Sequence, residues 1–376
     1  MWSMPIALPF VQADFGISRA DASLPYTLAM IGFAVGGVAM GWLCDRFGVA
    51  VAIMLGSLIL GLGYVVSSVV STPSAFGVVH LLIGFGASAA FGPLMADMSR
   101  WFARHRGIAV SIAASGNYMG GVVWPPVLQH AMATEGWRHT YLAVGIFCVL
   151  AMLPLVFALR RSAPSQSIAP TSSAASANSV SSLGMSPNAL MVLLCVAGVA
   201  CCVAMSMPQV HIVAYCGDLG YGPARGAEML SAMLGFGVVS RIGSGFIADR
   251  LGGVATLLIG AVLQGIALFL YLLFDGLVSL YVISALFGLF QGGIVPMYAI
   301  IVRQYFPPQE VGVRIGIVLM ATLVGMAFGG WIGGIIFDHT GSYQAAFLNG
   351  LIWNVVNVTI VSWLMLRSVR RLPAAA

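Results

Sequence analysis

Eleven apolar stretches follow one another along the chain, each closed by a short turn rich in Gly, Pro or charge. They begin near Leu24, Val51, Phe76, Gly107, Thr140, Ala189, Met229, Ala255, Leu277, Arg314 and Ala345. A membrane-crossing helix needs about 20 mainly apolar residues, so the pattern predicts eleven spanning helices with little between them. A shorter apolar stretch precedes them. From Met1 to about Gln12 it rises roughly 18 Å against a hydrocarbon core of about 30 Å, too little to cross. Its Ser3-Met4-Pro5 matches Ser206-Met207-Pro208 of the predicted seventh helix, where an apolar run from Ala189 to Met205 comes first. The expectation is a truncated first helix, with the chain starting inside it; a natural half-helix is the alternative.

The helices repeat. Gly41-Trp42-Leu43-Cys44-Asp45-Arg46-Phe47-Gly48 returns 204 residues later as Gly245-Phe246-Ile247-Ala248-Asp249-Arg250-Leu251-Gly252. The same shift carries Asp14 and Gly16 onto Asp218 and Gly220, and Gly84 onto Gly288. At a shift of 209, Gly116-Asn117-Tyr118-Met119-Gly120-Gly121 meets Gly325-Met326-Ala327-Phe328-Gly329-Gly330. Both copies run in the same order and orientation, the parallel two-half pattern of many secondary transporters. Between the copies, Ser162 to Pro187 is rich in Ser, Ala and Pro and carries no charge, which predicts a disordered linker. The expected organisation is an N-terminal bundle over 1–161, the linker over 162–187 and a C-terminal bundle over 188–376.

Composition makes the bilayer the solvent of this chain. Only 7% of its residues are charged and 60% are hydrophobic, with a mean hydropathy of +0.99, against about 25% charged residues in soluble domains. There is no lysine, so orientation rests on arginine. Turns of one parity hold Arg46, Arg100, Arg104, Arg106, Arg160, Arg161, Arg250, Arg303, Arg314, Arg367, Arg370 and Arg371, and those of the other only Arg19, Arg138 and Arg225. The positive-inside rule puts the first set, and the C-terminus, in the cytoplasm, in a multi-pass protein of the inner or plasma membrane. The net charge of +5 thus reflects topology and gives no support to nucleic-acid binding. The six cysteines lie mostly in apolar stretches without CxxC spacing and read as packing residues. No phosphate-cradling loop, metal-ligand cluster or nucleophile and base on one face is found, so neither an enzyme nor a cofactor or metal is expected.

Gly41-x-x-x-Asp45-Arg46-x-Gly48, with its weaker copy Gly245-x-x-x-Asp249-Arg250-x-Gly252, resembles the best-known loop motif of the major facilitator superfamily. The resemblance implies an all-α fold of two six-helix bundles, twelve helices in all, with the first one truncated here. It also implies that Gly41, Asp45, Arg46, Gly48, Gly245, Asp249 and Arg250 act in gating. There, glycine allows close helix approach and the Asp accepts from a helix N-terminus or an arginine. The family's motif usually continues with a basic residue, where this chain has Val49-Ala50. Asp97 and Arg100, one turn apart, join the same charge cluster or anchor the helix end. Within the superfamily the chain resembles the monocarboxylate and oxalate/formate carriers, through Asp14-Phe15-Gly16-Ile17-Ser18-Arg19, Arg241 in helix eight, Tyr305-Phe306-Pro307, Gly329-Gly330-Trp331 and Gly341-Ser342-Tyr343.

Arg241 is the foremost substrate-binding candidate. It precedes Ala248 by seven residues, about 10 Å along a helix, and an unpaired guanidinium at that depth is costly. Its repeat counterpart is Gly37, so the charge breaks the symmetry. A planar fork of donors suits a carboxylate, and the resembling carriers use an arginine in this helix for that purpose; snorkelling to the interface is the structural alternative. Asn117 and Tyr118 break the symmetry from the other side, where the second copy has Met326 and Ala327. Glycines 116, 120 and 121 are expected to bring helix five against a neighbour and leave this pair to bind substrate or to bond another helix. Gln291 and His211 are further intramembrane polar candidates, His211 as a proton exchanger or a structural histidine. The proton-coupled carriers often pair the helix-eight arginine with an aspartate one turn earlier. That position here is Gly237.

Together these readings predict a secondary transporter that moves a small carboxylate, such as lactate, pyruvate, oxalate or formate, by alternating access. Proton symport, with protons as a second partner, and anion exchange both fit. The alternatives are an exporter of apolar or cationic compounds, in keeping with the twenty methionines and twenty phenylalanines, and a non-transporting receptor or remnant.

Overall fold

A computed structural model describes residues 2–91, 94, 98, 101, 106–158, 184–307 and 310–370. The described residues form thirteen α-helices: α1 (Ser3–Phe15), α2 (Arg19–Phe47), α3 (Val49–Val69), α4 (Pro73–Ala87), α5 (Arg106–Glu135), α6 (Trp137–Ala158), α7 (Pro187–Asp218), α8 (Pro223–Leu251), α9 (Gly253–Leu273), α10 (Leu277–Gln291), α11 (Ile294–Tyr305), α12 (Val311–Thr340) and α13 (Tyr343–Arg370). Ten helical spans are long and apolar enough to cross a membrane, α10 and α11 forming one of them across a break at Gly292-Gly293. The fourth predicted stretch is α5, 30 residues long, while α1 has 13. Large apolar side chains stand outward along the spans, Phe246 at 70% exposure and Val278 at 76%. Such an apolar surface suits lipid. Most of the expected linker, 162–183, lies outside the described residues, as do Asp97 and Arg100.

By internal packing the chain divides into two compact units, which do not follow chain order. The first comprises 1–169 with 209–231 and 330–343; the second comprises 170–208, 232–329 and 344–376. Segments at the arginine-poor ends of α7, α8 and α12 therefore belong with the first repeat.

Each unit is held by a crossing in which two backbones touch. In the first, a Cβ on Gly84 of α4 would run into the carbonyl oxygen of Ala29 of α2, and one on Gly32 into that of Leu81. In the second, a Cβ on Gly288 of α10 would meet the carbonyl oxygen of Met233 of α8, and one on Gly292 that of Gly237. Ala29 and Met233, like Gly84 and Gly288, stand 204 apart, so the repeat extends to this contact. Between helices in lipid, where apolar burial drives little, such approach supplies packing that larger residues prevent.

The loop motifs also fold alike. Gly48 ends α2 at φ 87°, ψ 162° and Gly252 ends α8 at φ 83°, ψ 164°. Each donates its N–H back into the helix, to Cys44 at 2.8 Å and to Ala248 at 2.9 Å. Only glycine adopts this conformation without strain. Gly41 and Gly245 behave otherwise than expected: among the described residues an added Cβ would meet nothing within 4 Å at either, so neither is in close approach to a described helix in this conformation.

Buried aromatics fasten the first unit. Tyr141 of α6 is fully buried, stacked on Phe76 of α4 and edge-on to Tyr64 of α3, with its hydroxyl against the Met4 sulfur of α1. In the second unit, Tyr271 of α9 stacks on Phe347 of α13, with ring centroids 4.9 Å apart, and shares a 2.8 Å hydrogen bond with Ser284 of α10.

The glycine crossings yield a prediction. Gly84→Val, which forces α2 and α4 apart, loses about 1–3 kcal/mol and melts earlier in detergent, whereas Gly41→Ala, with open space around it, leaves the melting temperature unchanged. Equal melting of the two variants would contradict this account of the fold.

Candidate functional site

The break in the helix formed by α10 and α11 positions Arg241. Gly292 and Gly293 interrupt the helix where α8 crosses it, and the second glycine needs its lack of a side chain because a Cβ there would strike Ser244. Two residues of α8 attend to the break: Ser240 Oγ accepts from the Gly293 N–H at 3.1 Å, and the Arg241 Nε–H donates to the Gly292 carbonyl at 3.4 Å. Arg241 is half-buried. Gln291, the last residue of α10, is fully buried beside the same break. The structure thus brings together two of the predicted site residues, Arg241 and Gln291, within the second unit.

Asn117, Tyr118 and His211 lie in the first unit. The backbone carbonyl of Asn117 accepts from the Trp2 indole N–H at 3.2 Å, and Tyr118, buried, meets the Trp2 ring edge-on. Asn117 lines a cavity of about 330 Å³ together with Trp2, Tyr64, Gly116, Gly120 and Trp124. Gly116 and Gly120 therefore face open space, with no neighbouring helix among the described residues within 4 Å of an added Cβ, contrary to the close approach expected of them. In the second repeat the equivalent Gly325 and Gly329 do pack closely, against Val199, Val203 and Ser206 of α7.

His211 is fully buried with both ring nitrogens engaged: Nε2 is 2.9 Å from the Gly330 carbonyl and Nδ1 3.3 Å from the Tyr343 hydroxyl. This leads to a cluster that sequence reasoning missed. Arg19, 7% exposed, donates from Nη1 to the Tyr343 hydroxyl at 2.8 Å and from Nη2 to Asp218 at 3.2 Å, and its guanidinium lies 4.6 Å from the Phe337 ring centroid. Asp338 accepts the backbone N–H of Arg19 and of Ala20, both at 2.8 Å, and so caps α2. A signal was present in the repeat. Asp14 pairs with Arg138, at 2.9 Å, the residue after Trp137 at the start of α6. The residue after Tyr343, at the start of α13, is Gln344, so Asp218 has no matching arginine in its own repeat and is paired by Arg19 from the other.

Of the gating set, Asp45, Arg46, Asp249 and Arg250 are all exposed, and the Arg46 guanidinium lies 5.5 Å from the Trp42 ring centroid. No group of three or more His, Cys, Asp or Glu able to hold a metal occurs among the described residues.

The repeated glycine crossings, the paired loop motifs and the buried charges at helix ends are features of a membrane transporter built from two repeats. The family model described as "Major Facilitator Superfamily" matches residues 1–278 and 218–376, and the chain belongs to that family: it is an integral, multi-pass membrane transporter. Bovine monocarboxylate transporter 13 (Bos taurus) is 27% identical over 333 residues, 85% of this chain and 75% of the relative. The agnestins efflux protein AgnL12 of Paecilomyces divaricatus is 26% identical over 325 residues, 85% and 72% of the two chains. Among solved structures, the nucleoside transporter NupG shares the fold with a TM-score of 0.75 at 14% identity, over 97% of this chain and 96% of that one.

Ser240 is the residue through which this geometry is most directly probed. Ser240→Ala leaves the buried Gly293 N–H without its acceptor and costs about 1–3 kcal/mol, visible as a lower melting temperature. A melting curve that overlays the unmodified protein's would mean that the break holds itself without α8.

Proposed function

We propose that this transporter moves a small carboxylate and that Arg241 binds it. The observation that carries the reading is the placement of a half-buried guanidinium of α8 beside the unwound turn of the helix formed by α10 and α11, tethered there through Nε to a backbone carbonyl. That tether fixes the side chain at its root and sets the guanidinium edge beyond it as a carboxylate-sized fork. Gln291, on the same turn, supplies an amide for a second substrate oxygen. The burial of Tyr118 against Trp2 favours a packing role for that residue. The names of relatives such as monocarboxylate transporter 13 support the same substrate class. The N-terminal and C-terminal bundles at 1–161 and 188–376 are proposed as the rocking elements, with Asp45, Arg46, Asp249 and Arg250 gating at the cytoplasmic end of an inner or plasma membrane. A bound carboxylate neutralises Arg241 and biases the equilibrium only so far as it binds one state more tightly than another.

A second reading, export of apolar or cationic compounds, is supported by the name of the fungal efflux relative. Reconstituted protein assayed with labelled lactate, pyruvate, oxalate and formate separates the two. Arg241→Ala is expected to lower uptake of the favoured acid by about 100-fold, the loss of a charge-assisted pair of hydrogen bonds, and Arg241→Lys to recover a minor part of it. Undiminished carboxylate uptake by the alanine variant sinks the assignment of Arg241, and no uptake of any of the four acids by the unmodified protein moves the reading to export.

A further inference from the structure

We propose that His211 is a proton switch on a latch that holds together the arginine-poor ends of α2, α7, α12 and α13, and that acid on that side of the membrane releases it. The proposal is independent of which solute is carried.

Two hydrogen bonds of the cluster have a fixed direction. A carbonyl only accepts, so His211 Nε2, 2.9 Å from the Gly330 oxygen, carries a hydrogen. Arg19 only donates, so the Tyr343 hydroxyl accepts from Nη1 at 2.8 Å. With a neutral imidazole the remaining link, 3.3 Å between the Tyr343 hydroxyl and His211 Nδ1, runs one way: the hydroxyl donates and Nδ1 accepts. Protonation places an N–H on Nδ1 opposite the tyrosine O–H. The hydroxyl must then turn away, and its oxygen is shared between two cationic donors, His211 and Arg19, so that the hold on Arg19 weakens.

The groups around the ring leave room for that proton. Arg19 faces two carboxylates, Asp218 on α7 and Asp338 on α12, one paired with its guanidinium and the other with the first amides of α2. With a neutral imidazole the cluster is one negative charge in excess; with an imidazolium it is balanced. The other titratable groups near the ring are Tyr343 on α13, Tyr215 on α7, whose ring centroid is 5.4 Å from that of Tyr343, and Tyr26 on α2, which packs on Gly330. The latch closes a seam between α2 and α12: Gly334 packs on the Ala20 backbone and Gly330 on Tyr26. Ser23, midway between Ala20 and Tyr26 on α2, is fully buried.

Ser23→Cys, in protein whose six native cysteines are replaced by Ser or Ala, serves as the reporter, labelled from the arginine-poor side with a membrane-impermeant maleimide and no substrate. Asp275→Cys, in the exposed α9–α10 turn, corrects for the effect of pH on thiol reactivity. The corrected labelling rate is expected to rise about tenfold, the worth of one hydrogen bond to a charged group, as the pH on that side falls from about 7.5 to about 4. His211→Gln, which can donate to Gly330 and accept from Tyr343 but does not titrate there, gives a slow rate at every pH. Tyr343→Phe breaks the chain and gives a fast rate at every pH. A pH response that survives in His211→Gln overturns the switch, and Tyr343→Phe as protected at neutral pH as the parent overturns the latch.

Discussion

Backbone touching backbone is the constraint from which this structure is built. In hydrocarbon, helices gain little from burying apolar side chains against one another, because lipid is as apolar as leucine. Close approach at Gly84 on Ala29 and at Gly288 on Met233 supplies the packing instead. Its consequence is geometric. Because α8 lies directly on the helix formed by α10 and α11, the break at Gly292-Gly293 comes within reach of Ser240 and Arg241, and the arginine gains a carbonyl partner at a depth where an unpaired guanidinium is costly. The candidate substrate residue is thus a product of the same contact that holds its unit together.

The two repeats agree in scaffold and differ in chemistry. The turns at Gly48 and Gly252 match within a few degrees, and the crossing of Gly84 on Ala29 recurs as that of Gly288 on Met233. The departures fall on polar groups: Arg241 stands where the first repeat has Gly37, and Gln344 where it has Arg138. Each substitution moves a charge, and each is answered elsewhere, by the Gly292 carbonyl in one case and by Arg19 in the other. A duplicated fold becomes a transporter through such inequalities, since two identical halves offer a substrate no reason to prefer either.

Much of the fold was legible in the sequence because its signals are local or periodic: length of apolar run, glycine before a turn, a motif recurring at a fixed shift. The helices and the matched turns arise from these. The features that the sequence concealed were pairwise. Gly116 and Gly120 read as packing glycines, as Gly325 and Gly329 are, yet among the described residues only the second pair has a helix against it. Gly41 and Gly245 carry the motif without close contact to a described helix. Arg241 was visible as a charge inside an apolar run, but the broken turn that tethers it was not, because the break shows only once α8 lies across Gly293. Arg19 read as a surface charge counted for topology, because nothing near it in the chain announces that Asp218, Asp338 and Tyr343 converge on it. Only the imbalance between Arg138 and Gln344 hinted that Asp218 needed a partner from afar.

The cap on α2 bears on how the chain is made. Ser18 satisfies the Asp21 N–H locally, but the N–H groups of Arg19 and Ala20 wait for Asp338, 319 and 318 residues further on. That carboxylate is made more than three hundred residues after the turn it caps. Until then the start of α2 is an uncapped helix end at the membrane surface, so α2 acquires its final first turn only after α12 has been made.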